Sequence, residues 1–284
     1  MKTTAPSPGR FGLIVGAMKC GTTSLFNYLA AHPDVAPCRT KEPNYFSSGN
    51  FRPEDSQSYF SLWDWDPSVH KIAIEASANY TKIPTKPNCA DRIAQLSNLD
   101  FRFIYCMRNP IDRIESHVYH GLYAGWTKPL ESGISEFTLD VSRYAMQLDA
   151  YAKRFGRDRI LLVVLEEFQK APAEGLRRVC EFLEIDPSFQ FTDHRSHNPS
   201  SDHYIEHALW NRIRSVKSLR RFAQLISSTW RRSILRSTGR KLDVRRRLTT
   251  SERAEISESL RGDLVRLKSN YGIDAAATWG IEFP

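Results

Sequence analysis

The chain of 284 residues has a formal net charge of +8, with 41% hydrophobic and 25% charged residues. These values are typical of a globular protein and exclude a disordered chain, a collagen-like chain and a disulfide scaffold. No apolar run reaches the roughly 18 residues of a membrane span, and the N-terminus lacks the apolar core of a signal peptide. Five cysteines without a CxxC pair indicate neither a zinc site nor a disulfide framework, so we expect a reducing, cytoplasmic setting.

Short apolar runs alternate with helical segments along most of the chain. After a loose tail over residues 1–10, these runs predict strands at 11–15, 71–75, 101–106 and 159–165. One helix is predicted after the first strand, ending near His32, and others at 88–98, 132–155 and 173–183. Such alternation is typical of βαβ units. Because no Gly/Ser-rich linker divides the chain, we expect a single α/β domain over 11–284, with a central parallel sheet flanked by helices.

The segment 36–70 has no clear periodicity and is rich in aromatic residues. They are Tyr45, Phe46, Phe51, Tyr59, Phe60, Trp63 and Trp65. A long aromatic loop is often the wall or lid of a site, and ring stacking would suit sugars and planar metabolites. The alternative is that these rings pack a satellite core.

The positive charge is concentrated in a poorly defined stretch over 190–248. Between residues 211 and 247 there are thirteen Lys and Arg residues and a single acid, Asp243. Apolar residues in 205–236 recur at helical spacing, which predicts an amphipathic helix with a basic face. That face either covers the core or contacts an anionic polymer or membrane surface, and no nucleic-acid motif accompanies it. Next, Thr249 and Glu252 predict a capping box for a helix to about Tyr271, ended by Gly272.

The strongest local pattern is the segment GAMKCGTTS at residues 16–24. A strand precedes it and a helix follows, so backbone N–H groups and a helix N-terminus point at one place. Lys19 adds a positive charge, and Thr22, Thr23 and Ser24 add hydroxyl donors. The pattern departs from GxxxxGK[ST], because the Lys precedes the second Gly. It therefore predicts an anion site, the alternative being an ordinary strand-to-helix turn.

A second pattern, RNPIDRIES at residues 108–116, also follows a strand and enters a helix. Arg108 would lie at the carboxyl end of the strand, where open α/β sheets bind ligands, and a guanidinium can grip a phosphate with two donors. Ser116 would lie within reach of the same crevice. Alternatively, Arg108 pairs with a carboxylate and Asp112 shapes the helix start.

Together the two patterns resemble the sulfotransferases that use 3′-phosphoadenosine 5′-phosphosulfate (PAPS). KCGTTSL resembles their 5′-phosphosulfate loop, and CMRNPIDRIESHVYH resembles their 3′-phosphate-binding strand and helix. Three weaker segments resemble the heparan-sulfate and bacterial carbohydrate branch: KEPNYF at 41–46, EASANY at 75–80 and STGRK at 237–241. The resemblance covers about 11–185 and 236–280, and it implies a P-loop-like fold.

The resemblance assigns roles to residues of this sequence. It implies that the 5′-phosphosulfate is held by Lys19, Cys20, Gly21, Thr22, Thr23 and Ser24, with Lys19 stabilising the leaving phosphate. It implies that Arg108 and Ser116 hold the 3′-phosphate. Gly239 and Arg240 would form a clamp over the nucleotide. No metal is expected.

The resemblance also points to Glu42 as the base that activates the acceptor. Its alternative role is that of an exposed loop carboxylate paired with Lys41. His120, one helical turn after Ser116, is the second candidate base, and His117 is weighed less. The branch has a Lys where this chain has Ala76, so another basic residue would have to substitute, with Lys82 or the basic stretch as candidates.

The sequence thus predicts in-line sulfuryl transfer from PAPS to a hydroxyl or amine of a carbohydrate or small molecule, releasing the nucleotide PAP. Sulfuryl transfer resembles phosphoryl transfer, in which positioning and charge stabilisation supply most of the catalysis. Two alternatives stay open. One is a P-loop kinase or NTPase, disfavoured by the missing GK[ST]. The other is a non-catalytic protein that binds an anionic polymer.

Overall fold

The chain folds around a five-stranded, wholly parallel sheet with the strand order β2-β3-β1-β4-β5. The computed structural model describes residues 7–49, 51–124, 134–191 and 248–282. The strands are β1 (Arg10–Gly16), β2 (Val35–Pro37), β3 (Ile72–Ala76), β4 (Asp100–Met107) and β5 (Ile160–Val164). This sheet confirms the predicted α/β fold. Within the described residues, the short edge strand β2 is the one strand that the sequence did not predict.

Helices cover the sheet and connect its strands. The first five are α1 (Thr22–Ala30), α2 (Ser56–Phe60), α3 (Cys89–Ala94), α4 (Pro110–Ala124) and α5 (Glu136–Asp140). The others are α6 (Tyr144–Phe155), α7 (Leu165–Lys170), α8 (Pro172–Leu183), α9 (Thr250–Tyr271) and α10 (Ala275–Trp279). Among the described helices, none is long and apolar enough to cross a membrane.

Several predicted boundaries differ from the structure. The strand β1 starts at Arg10, inside the predicted tail, because Arg10 pairs with Asp100 at 3.2 Å and extends the ladder with β4. The helix predicted over 132–155 is instead two helices, α5 and α6. The break between them contains the wholly buried Ser142, whose Oγ accepts a hydrogen bond from Arg113 rather than facing solvent on a continuous helix.

Aromatic rings of the segment 36–70 lie in the core. Phe46 and Tyr59 have no exposed surface, and Trp63 donates its indole N–H to the Ile74 carbonyl at 3.0 Å. The ring of Phe11 in β1 lies 5.3 Å from the ring of Tyr59 and 5.3 Å from that of Trp63, centroid to centroid. The packing alternative is therefore correct, and the prediction of an aromatic site wall was wrong for these buried rings.

The last long helix, α9, begins as its sequence pattern predicts. Thr249 and Glu252 form the complete capping box, and Gly272 ends the helix with φ of 74°. The Asp263 carboxylate then accepts hydrogen bonds from the backbone N–H groups of Ala145 and Met146, at 3.0 and 2.9 Å. The carboxylate therefore caps α6 and pins α9 to it. The predictions for the basic stretch fall almost wholly on 192–247, outside the described residues.

Candidate functional site

Four strands end at one edge of the sheet, and the polar residues predicted for function follow these ends. The loop after β1 contains Lys19, Ser77 follows β3, Arg108 follows β4, and Glu166 comes two residues after β5. Parallel strands place their carboxyl ends together, and this is where open α/β sheets bind ligands. The fold thus brings the two strongest sequence patterns to one crevice.

Two glycines allow the loop after β1 to turn sharply. At Gly16, an added Cβ would lie 2.0 Å from the Thr81 hydroxyl oxygen, which itself bonds to the Val15 carbonyl at 2.7 Å. At Gly21, φ is 82° and an added Cβ would lie 2.7 Å from Leu165. Close packing requires a residue without a side chain at both positions. These contacts explain why the predicted anion-binding loop starts and ends on glycine.

The loop delivers its backbone N–H groups to the start of α1. Gly21 is the N-cap and offers no capping side chain, so the first-turn N–H groups of α1 have no side-chain acceptor there. Thr22, Thr23 and Ser24 form that first turn; Thr22 is buried, and the other two are half-buried. The uncapped helix end and the hydroxyls together suit an anion.

Lys19 has an unusual backbone conformation and an unusual electrostatic environment. Its φ is 71°, in the left-handed region that costs a residue with a Cβ about 1–2 kcal/mol. Burial, followed by the positive charge of Arg108, lowers the pKa of the Lys19 amine below its usual value. Within the described part of the chain, Lys19 forms no ion pair. A half-buried amine on a strained backbone, near a second cation, is suited to bind an anionic ligand.

Arg108 is the second cation at this crevice, and its Nε is buried with no hydrogen-bond partner among the described residues. The alternative prediction, a carboxylate partner, has weak support: Asp112 Oδ2 lies 3.9 Å from Arg108 Nη2. The other oxygen of Asp112 is 3.4 Å from Arg253. A buried donor left without an acceptor costs free energy, and a phosphate oxygen would satisfy it. The crevice therefore fits a phosphate group.

Three residues that the sequence patterns missed fix the turn after β4. Tyr144 donates its hydroxyl to the Arg108 carbonyl at 2.9 Å. Glu166 accepts from the Asn109 N–H at 2.8 Å and from the Trp279 indole at 3.2 Å. They lie far apart in the chain, and only the assembled sheet brings them to Arg108. In the sequence, the one sign of this role was the position of Glu166 immediately after a predicted strand.

The helix α4 presents two groups of polar residues. Ser116 and His120, one turn apart, are half-buried, as expected of residues that line a crevice. Arg113 and His117 are instead buried, with 0% and 5% of their surfaces exposed. His117 contacts Arg113 directly, and the charge of His120 acts on it. The weaker weight that the sequence analysis gave His117 therefore missed a buried polar pair beside the candidate site.

Glu42 lies on the loop between β2 and β3, with 44% of its side chain exposed. Its Oε1 is 2.6 Å from the Lys41 Nζ, which is the pairing considered as the alternative to a catalytic role. Glu42 also acts electrostatically on Lys82: burial lowers the pKa of the Lys82 amine, and the charge of Glu42 opposes that shift. Glu42 thus pairs with Lys41 and acts electrostatically on Lys82, the candidate substitute for the Lys absent at Ala76.

The loop of Glu42 is tied to the end of β3. The Ala76 N–H donates to the Lys41 carbonyl at 3.0 Å, and the Asn44 N–H donates to the Ser77 hydroxyl at 3.1 Å. Asn79 Nδ2 also donates to the Asn44 side chain at 2.8 Å. These bonds hold the backbone on both sides of Glu42. The backbone of Glu42 is therefore fixed, although its carboxylate is exposed.

Glu75 anchors this arrangement from inside the sheet. The side chain has no exposed surface and accepts from the hydroxyls of Tyr59, Tyr80 and Ser77 at 2.9, 3.0 and 2.7 Å. Burial raises the pKa of Glu75 to about 7, against the opposing effect of the three donors. Since Ser77 also binds the Asn44 N–H, the buried carboxyl is coupled to the loop that contains Glu42.

Because of Glu75, we expect the free energy of unfolding to fall as the pH rises from about 4.5 to about 7. The folded state keeps a proton that the unfolded state has lost over this range. The stabilising contribution is complete below pH 4.5 and is lost as the pH passes 7, on the order of 3 kcal/mol. Urea denaturation across this range should show the fall in wild type and not in Glu75→Gln. Parallel stability curves for the two proteins would contradict the assignment.

Two predicted residues, Gly239 and Arg240, lie outside the described residues. Among the residues that are described, no cluster of three or more His, Cys, Asp or Glu side chains could hold a metal ion. All five cysteines are buried free thiols. One of them, Cys20, lies in the loop with its Sγ 3.8 Å from the Tyr144 hydroxyl.

A glycine-bounded loop that leads from a central parallel strand into a helix defines the class of α/β proteins with a phosphate-binding loop. Within this class, the family of the chain can be identified. The model of the sulfotransferase domain matches residues 12–245, so this chain belongs to that family and is a sulfotransferase enzyme. This membership favours the sulfotransferase interpretation over the kinase and NTPase alternative.

Individual relatives agree with the family. Bifunctional heparan sulfate N-deacetylase/N-sulfotransferase 1 of Caenorhabditis elegans is 24% identical over 207 residues, 66% of this chain and 23% of that protein. Heparan sulfate glucosamine 3-O-sulfotransferase 3A1 of Mus musculus is 25% identical over 60% of this chain and 44% of that protein. The chain thus spans less than half the length of these two relatives.

A solved structure shows the same fold over nearly the whole chain. The sulfotransferase from Alicyclobacillus acidocaldarius superposes with a TM-score of 0.63 at 21% sequence identity. The superposition covers 96% of this chain and 99% of that one. Its extent agrees with the single parallel sheet described above.

Proposed function

We propose that this sulfotransferase uses PAPS as its donor and binds it across the ends of β1 and β4. The observation that supports this most directly is Arg108, whose buried Nε has no partner among the described residues. With Lys19 and the uncapped start of α1, Arg108 provides donors for two separate phosphate groups. A nucleotide with both a 5′- and a 3′-phosphate would use both groups of donors.

The residues of the first loop stabilise negative charge. When bound, PAPS supplies the sulfuryl group and a phosphate leaving group. Lys19 and the N–H groups at the start of α1 meet the charge that grows on the bridging oxygen, as donors do in an oxyanion hole. Thr22, Thr23 and Ser24 orient the 5′-phosphate, while Arg108 and Ser116 hold the 3′-phosphate.

Glu42 accepts the proton of the attacking hydroxyl or amine. Its loop is fixed at the end of β3, and the side chain is exposed toward solvent, from which an acceptor arrives. Lys41 and Lys82 keep positive charge near this carboxylate, which replaces the charge absent at Ala76. His120 remains the second candidate for this role.

Calorimetric titration with PAP tests the donor site. Wild type should bind PAP without added metal, and Arg108→Ala should weaken binding by about 10- to 100-fold, the value of a hydrogen-bonded charge. Arg178→Ala, which removes an exposed guanidinium from α8, is the matched control and should leave the affinity unchanged. Binding of ATP with magnesium in place of PAP would refute the proposed donor.

We further propose a carbohydrate acceptor, supported by the heparan sulfate enzymes among the relatives. Radiolabelled sulfuryl transfer from PAPS to heparan sulfate, to its N-deacetylated form and to a simple phenol would compare the classes. Labelling of either polysaccharide is expected. If only the phenol were labelled, the chain would be a sulfotransferase for small molecules.

A further inference from the structure

Arg113 is a completely buried guanidinium that has no carboxylate partner among the residues that the structure describes. Its Nε donates to the Ser142 hydroxyl at 2.5 Å and its Nη2 to the Thr138 carbonyl at 2.6 Å. Its Nη1 lies 3.1 Å from His117 Nδ1. All three acceptors are neutral, and no acid forms an ion pair with Arg113 among the described residues. A buried charge held only by neutral groups is costly, which is why most such charges are paired.

The contact with Arg113 fixes the protonation of His117. A guanidinium has only donors, so His117 Nδ1 has to accept, and the ring proton then lies on Nε2. Burial, followed by the charges of Arg113, Lys82, His120 and Lys19, lowers the pKa of His117 to about 3. The imidazole is therefore neutral at all ordinary pH values. It is a donor through Nε2–H and cannot act as a base at Nδ1.

The His117 ring lies within the electrostatic reach of the cations of the candidate site. The Phe137 ring is the shared neighbour: it lies 5.7 Å from the His117 ring and 5.8 Å from the Lys82 Nζ. The charge of Glu42 in turn acts on Lys82, and the charge of Lys19 acts on His117. Over the described residues, no protein acceptor engages His117 Nε2. A neutral donor on a ring that also feels the charges of Lys82, His120 and Lys19 is suited to an anionic oxygen.

We propose that Arg113 is a positioning residue that locks His117 as an Nε2–H donor to an oxygen of the sulfuryl group. This inference rests on the proposed PAPS donor. Lys19 and Arg108 hold the phosphates of the nucleotide, whereas His117 serves the group that moves. The role is distinct from that of a base, for which Glu42 and His120 are the candidates.

Nitrogen NMR of the ligand-free protein, with ¹⁵N-labelled histidine, tests the locked tautomer directly. The His117 signals, assigned by their loss in His117→Gln, should show a neutral Nε2–H ring from about pH 5 to 8. Arg113→Met removes the donor to Nδ1, so the neutral ring should become a mixture of the Nε2–H and Nδ1–H tautomers. A wild-type His117 that titrates there, or bears its proton on Nδ1, would overturn the proposal. This part is measured whether or not PAPS is the donor.

Addition of nucleotides then separates the sulfuryl group from the phosphates. PAPS should shift and protect the His117 Nε2–H signal, and PAP, which lacks the sulfuryl group, should not. An equal response to both nucleotides would make His117 a phosphate ligand and overturn the assignment, as would no response to either in a protein that binds both. If wild type binds neither nucleotide, the proposed function fails, and the tautomer result still stands.

Activity provides a second readout. His117→Phe keeps a ring but removes the donor, and we expect kcat to fall about 10- to 100-fold while PAP affinity stays within about twofold. His117→Gln restores an N–H at a similar reach and should recover most of that loss. His70→Gln, at a half-buried His on another loop, is the control. Full activity in His117→Phe, or a parallel loss of PAP binding, would contradict the proposal.

Discussion

Replacing Lys19 by alanine is expected to lower kcat by about 10²- to 10³-fold, the typical cost of losing one donor to developing negative charge. The half-buried Lys19 belongs to the loop that leads into the uncapped start of α1, where the bridging oxygen of the donor would gain charge. Alanine keeps a Cβ at the same left-handed position, so the variant removes the amine without adding backbone strain. Initial rates of sulfuryl transfer from PAPS at saturating donor measure the effect.

The pattern of losses identifies the role of Lys19. A transition-state contact predicts a large fall in kcat with a much smaller change in PAP affinity, because PAP lacks the transferred group. Lys153→Ala removes an exposed lysine from α6 and should be silent. Near-normal turnover in Lys19→Ala would refute the mechanism. A loss confined to PAP binding would reduce Lys19 to a ground-state ligand.

Local sequence patterns predicted the parts of the site that depend on neighbouring residues. Gly16 and Gly21 mark the loop because their roles, a close approach and a positive φ, are properties of single positions. The capping box of Thr249 and Glu252 is likewise contained in four residues. Such patterns can be recognised in the sequence because they depend little on tertiary contacts.

Long-range contacts supplied what the sequence could not predict. Glu166 reaches Asn109 across 57 residues and Trp279 across 113, and no periodicity marks it. Arg113 has the sequence context of an ordinary helical arginine, yet it is buried and donates a hydrogen bond to the Ser142 hydroxyl. This bond also explains why the predicted helix over 132–155 is broken, since Ser142 lies in the turn between two shorter helices. Side-chain burial at these positions follows from packing rather than from local propensity.

The placement of Glu42 combines both kinds of information. The resemblance to the heparan-sulfate branch suggested a base, and the surroundings of Glu42 became visible only when β3 paired with β1 and brought Ser77 to the Asn44 N–H. The wholly buried Glu75 holds that hydroxyl, so the loop of an exposed carboxylate is supported from the core. An exposed side chain on a fixed backbone can reach an arriving acceptor without a rearrangement of its loop.

Glu42→Gln is expected to lower kcat by about 10²- to 10⁴-fold, the range for losing a general base, with PAP binding intact. Glutamine keeps the length of the side chain and removes its proton-accepting charge. Transfer rates and PAP titrations on the same preparations measure both effects. Glu54→Gln, a charge removal at another exposed position of the same connecting segment, should change neither.

The outcome of this substitution separates the two candidate bases. If Glu42 accepts the acceptor's proton, His120→Gln should retain far more activity than Glu42→Gln. A fully active Glu42→Gln enzyme would move the role to His120, and the pairing of Glu42 with Lys41 would then be structural. A combined loss of activity and PAP affinity would instead show that Glu42 supports the nucleotide site. Glu42 lies on a loop fixed by β3 and not on the phosphate loop. We therefore expect that Glu42 is the base and that His120→Gln retains the higher activity.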